Sequence, residues 1–100
     1  MSDADDATFA DIDRASVELV ARYKGGRTPS RQFGTSVEVL EPRHLIRLRA
    51  IGAATVAVEV FHHHNIGPRV SIHASETIRD YTSPSDLAQR AAELYERTRA

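Results

Sequence analysis

One hundred residues suffice for one domain and leave too little core for a second. Hydrophobic residues at 41% and charged residues at 27% match soluble globular chains and exclude a disordered, low-complexity polymer. The absence of Cys excludes a disulfide framework, thiolate chemistry and a Cys-ligated zinc.

The net charge of -1 conceals a segregation along the chain. Residues 1–20 carry six acids against Arg14, and residues 21–50 carry seven bases against Glu38 and Glu41. The second half is nearly balanced. Arg supplies almost all the cations, which suits planar contacts to carboxylate or phosphate and also accompanies GC-rich coding. The longest uncharged apolar run, Ile51 to Val58, is far short of a membrane span, and the acidic start lacks the marks of a signal peptide. The expectation is a cytoplasmic protein without membrane contact.

The first seven residues are small and acidic and are expected to fray. From Thr8 to Lys24, Phe9, Ile12, Leu19 and Tyr23 recur at helical spacing, with Ser16 between them and Val20 beside them. Glu18 and Arg22 stand four apart, and Gly25-Gly26 offers a left-handed cap. Residues 27–32 concentrate turn formers and predict an exposed loop.

The pattern then changes to period two. Val37 and Val39, Ile46 and Leu48, Val56 to Val60, and Val70 and Ile72 each alternate with smaller or polar residues, and Pro42, Gly52 and the Asn65–Pro68 stretch separate them. Four short strands in an antiparallel meander with one buried face follow from this. Ser83-Pro84-Ser85-Asp86 starts a last helix with a cap, a first-turn Pro and an acid, and Leu87, Ala91, Leu94, Tyr95 and Thr98 form its apolar face. Asp86 with Arg90 and Glu93 with Arg97 are pairs four apart. The fold class is α+β, in the order α-β-β-β-β-α, as one domain over residues 8–100. This order resembles the double-stranded-RNA-binding fold at the level of fold class alone; that resemblance implies a basic start to the last helix, where this chain is acidic, and no family follows from it.

Three constellations bear on function. His62-His63-His64 follows the third strand, and a register in which strand-two and strand-three numbers sum to 106 sets His44 opposite His62. His44, His62 and His64 would then approximate a three-His metal site with an open position. Solvated imidazoles in a strand-end loop are the simpler reading, so no metal and no cofactor are expected. Ser71 and His73 share a strand face, but no elbow motif supports a nucleophile there. Arg43, Arg47 and Arg49 alternate outward along one strand, with Arg27 and Arg31 in the preceding loop, while Glu38 and Glu59 have the parity to pair with them.

The first expectation is therefore a small non-enzymatic protein-interaction or assembly domain. It would act through the basic loop and sheet face of Arg27, Arg31, Arg43, Arg47 and Arg49, binding another protein or a copy of itself. A nucleic-acid-binding domain using the Arg-rich segment 22–49 is the second reading, and a His-rich metal-dependent enzyme the third. The opposed charge blocks can mate between chains, or within one chain as an acidic helix over a basic sheet edge.

Overall fold

A computed structural model describes residues 3–39, 44–63 and 70–99. Helix α1 (Asp3–Tyr23) is followed by strands β1 (Arg27–Thr28), β2 (Thr35–Val39), β3 (His44–Gly52), β4 (Thr55–His63) and β5 (Val70–Arg79), and by helix α2 (Pro84–Arg99). The strands form one antiparallel sheet in chain order, β1-β2-β3-β4-β5. The α+β class and the helix–meander–helix order stand as the sequence predicts, with one strand more.

The additional strand corrects the loop expected over residues 27–32. Arg27 and Thr28 pair with Val37 and Ser36, because Gly25 lets the chain lie against β2. A Cβ on Gly25 would stand 1.6 Å from the Glu38 carbonyl oxygen. Next to it, the Glu38 amide donates to the Gly26 carbonyl at 2.8 Å. The left-handed cap of α1 falls on Lys24 (φ 57°) and not on either glycine; its amide donates to the Val20 carbonyl at 2.7 Å, closing the last turn. At its other end α1 starts at Asp3, within the segment expected to fray.

Both helices lie on one face of the sheet. Ile12, Ala15 and Leu19 of α1 and Leu87, Ala91, Leu94 and Tyr95 of α2 enclose Val37, Val39, Ile46, Leu48, Val56, Val58, Val60 and Ile78 in a single core. Helix α1 packs on β2 and β3, α2 on β4 and β5, and the helices contact each other. Those contacts ascend together, Glu18 with Ser85, Arg22 with Gln89 and Tyr23 with Glu96, so the helices run in the same sense. No helix among the described residues is long and apolar enough to cross a membrane.

Two polar devices fix the ends. The Thr8 hydroxyl, fully buried, donates to the Gly52 carbonyl at 3.0 Å and accepts the Ala54 amide at 3.1 Å, tying α1 to the β3–β4 turn. At α2 the Asp86 amide donates to the Ser83 hydroxyl, and the Thr82 amide donates to the Asp86 carboxylate, each at 3.0 Å. The Thr82 amide first, and the Arg90 guanidinium after it, hold the Asp86 carboxyl below the usual carboxylate range.

Candidate functional site: the helix-free face of the sheet

Strand parity turns one set of side chains away from the helices. On β3 these are Leu45, Arg47 and Arg49, and on β4 Ala57, Glu59 and Phe61; Ser36 and Glu38 of β2 and Ser75 and Thr77 of β5 flank them. The register lines them up in rows across the strands. One row runs Glu38, Leu45, Phe61 and, on β5, the position of Ile72; the next runs Ser36, Arg47, Glu59 and Ser75; the third brings Arg49, Ala57 and Thr77 together.

Each row has its own chemistry. Leu45 and Phe61 are half-buried neighbours on a face that no helix covers. Arg47 donates to Glu59 Oε1 at 3.1 Å through Nε and at 2.8 Å through a terminal nitrogen, while its guanidinium stands 4.7 Å from the Phe61 ring centroid. In the third row Arg49 is exposed and makes no ion pair with any described residue. The small side chain of Ala57 leaves a shallow depression of about 270 Å³ beside it, edged by Glu59, Ser75 and Thr77. Gly34, left-handed at φ 92°, lies against the stems of both arginines: a Cβ there would meet Arg47 Cγ at 2.9 Å and Arg49 Cβ at 3.2 Å.

The other expected basic residues are placed elsewhere. Arg27 reaches α1, 2.5 Å from Asp13 and 3.2 Å from the Ser16 hydroxyl. Arg31 pairs with Asp6 and stacks 4.9 Å from the Phe9 ring centroid. The acidic first block thus mates with the basic loop inside one chain. Arg43 lies outside the described residues.

The structure adopts the register that sums to 106, with His44 and His62 as Cα partners. The His44 side chain is buried, its Nδ1 3.0 Å from the Tyr95 hydroxyl and its ring edge-on to Tyr95 at 5.3 Å. Tyr23 meets the other side of Tyr95 at 5.0 Å and donates its hydroxyl to Glu96. His44 is thus built into an aromatic cluster between β3 and the ends of both helices. His64 lies outside the described residues, and among the described residues no three His, Asp or Glu side chains converge as metal ligands would. On β5 the register skips His73, which interrupts the alternation expected of Ser71 and His73 and sets the position of Ile72 in the row of Phe61, not in the core row where it was expected.

A larger groove of about 660 Å³ runs between β5 and α2. Two contacts cross it, Arg97 to Glu76 at 2.9 Å and Arg90 to the Arg79 carbonyl at 3.0 Å, while Arg90 also pairs with Asp86 along α2 at 3.3 Å. On the helix-free face, half-buried Leu45 and Phe61 share a surface with Arg49, which makes no ion pair with a described residue; Val17, Phe33 and Ile51 are further apolar side chains exposed to solvent. Sequence reasoning found Arg47 and Arg49 from parity and missed the Leu45–Phe61 row, although the same parity contains it. Comparison with protein-family models, with curated proteins and with solved structures gave no match.

Proposed function

We propose that the chain is a small non-enzymatic interaction domain that binds protein through the helix-free face of its sheet. The observation that carries this reading is the departure of that face from the apolar-in, polar-out alternation of a solvated antiparallel sheet. Leu45 and Phe61 interrupt the polar pattern on its two middle strands, toward one end of them. An interface of this kind draws affinity from a central apolar cluster that excludes water and orientation from the charges around it. Here the Arg47–Glu59 pair and Arg49 occupy the charged positions. Arg27 and Arg31, engaged with Asp13 and Asp6, act within the chain and not at this surface. Three of the basic residues of segment 22–49 are therefore neutralised by in-chain carboxylates, and no separate observation favours nucleic acid.

Site-specific photocrosslinking in the living cell tests the proposal. A photoreactive residue at Thr77, exposed on the helix-free face, should yield protein adducts, whereas the same residue at Gln89, exposed on α2, should not. Adducts from Gln89 alone, or in equal yield from both positions, would sink it.

A further inference from the structure

We infer that the partner on this face is a second copy of the same chain, stacked sheet to sheet about a twofold axis that runs along the strands between β3 and β4; the inference rests on the interaction reading above. Such an axis lays each β3 residue of one copy over its own β4 neighbour in the other. Complementarity between adjacent strands then becomes complementarity between copies, as an isologous interface requires.

Taken row by row, the pairing is favourable. Leu45 of one copy meets Phe61 of the second, so the two apolar rows close on each other. Arg47 faces Glu59 of the second copy and Glu59 faces Arg47, turning two in-chain pairs into a ring of four alternating charges. Arg49 faces Ala57 of the second copy, at the depression that the second copy's own Arg49 borders together with Glu59, Ser75 and Thr77. A cation that makes no ion pair with a described residue is thereby brought beside a carboxylate and two hydroxyls. At the ends of the Arg47–Glu59 row Ser36 meets Ser75, a neutral contact. Stacked antiparallel sheets hold their strands within about 30° of each other, so the middle row along the axis, which carries Arg47 and Glu59, keeps this pairing best.

The alternative route to self-association, edge to edge along β5, is obstructed. The register skips His73, and Glu76 turns toward the helix side of this edge strand; an irregularity and an inward-turned charge are both devices that block strand addition.

Sedimentation equilibrium over a range of concentrations tests the inference on the full chain, with four proteins: wild type, Arg47→Glu, Glu59→Arg and Arg49→Glu. The wild type should reach twice the chain mass. Arg47→Glu sets like charges across the axis, as does Glu59→Arg, and each alone should raise the dissociation constant by on the order of 100-fold. Mixed in equal amounts, the two should recover a heterodimer, since each then supplies the charge that the other lacks. Arg49→Glu changes an exposed residue that makes no ion pair with a described residue, so its fold is kept, and it too should weaken the dimer by placing an acid beside Glu59 of the second copy. If the first two variants lose their native circular dichroism, Arg49→Glu carries the test by itself.

A wild type that stays monomeric, or a dimer indifferent to Arg49→Glu, overturns the inference. Adducts from Thr77 to a different protein in the crosslinking experiment, with a monomeric chain, overturn self-association while leaving the interaction reading in place. Absence of any adduct from Thr77 removes that reading as well.

Discussion

Tyr81 shows how the fold alters the chemistry of a single side chain. It is buried beside α1 and donates its hydroxyl to Asp11 Oδ2 at 2.7 Å. Burial first, then the hydrogen bond and charge of Asp11, push its pKa from 10.0 up to about 12. The unfolded chain releases this proton near pH 10 and the folded chain near 12, so the stabilisation is complete below about pH 10 and is lost as pH rises toward 12. Urea denaturation midpoints between pH 9 and 12 should fall more steeply for the wild type than for Tyr81→Phe, which has no proton to lose; parallel curves would show that the hydroxyl is not held by Asp11. Tyr23 is raised in the same direction, by burial and then by its hydrogen bond to Glu96. His44 and Thr8 make a related point: each polar group sits in the core because a specific partner, Tyr95 or the backbone of the β3–β4 turn, receives it. Their sequence neighbours give no sign of those partners.

At the scale of elements, helix periodicity and strand alternation carried most of the architecture. The face of α2 expected from its spacing, Leu87, Ala91 and Leu94, is the face in the core. Ser83 caps that helix as its sequence predicts. The expected pairs within helices fared unevenly. Asp86 and Arg90 are in contact, but Arg97 goes to Glu76 of β5, Glu18 accepts from Ser85 and Arg22 reaches Gln89. A pair four apart is worth only about 0.2 to 0.5 kcal/mol, so a better-placed side chain on a neighbouring element displaces it. The short strand β1 was unreadable because its cause is distant: Gly25 is required by the Glu38 carbonyl thirteen positions away. Gly25→Ala should therefore separate β1 from β2 and destabilise the protein by about 1 to 3 kcal/mol, in the range of other overpacking substitutions. Gly26→Ala, with nothing within 4 Å of its Cβ, should change the thermal midpoint little. Equal midpoints for the two variants would refute the close approach.

For the molecule as a whole, the two charge blocks of the sequence become a contact between α1 and the β1–β2 segment through Arg27–Asp13 and Arg31–Asp6. Both pairs are partly exposed, a setting in which an ion pair contributes on the order of 0 to 1 kcal/mol and is screened by salt. The double variant Arg27→Ala/Arg31→Ala should lower the thermal midpoint slightly at low ionic strength. The difference should vanish near 1 M salt, where the screening length is about 3 Å. Its self-association should match that of the wild type, since these groups lie off the helix-free face. Weakened self-association by this variant would move the interface to the loop. Both helices pack on one side of the sheet, and neither covers the other side.

The sequence by itself determined the α+β class, the order of the major elements and the parity of β2, β3 and β4 in the core, and it allowed Arg47 to pair with Glu38 or Glu59, because each depends on spacing of 2.0 or 3.6 residues or on neighbours in a meander. The β3–β4 register was one of those that parity allows, since a slip by one residue would turn the valines of β4 to solvent but a slip by two would not, and the structure selected it. Tertiary structure alone decided that both helices share a face, that Arg27 and Arg31 are neutralised by α1, and that His44 is enclosed by Tyr95. Those outcomes join residues far apart in the chain, where periodicity carries no information and packing against a third element selects the partner.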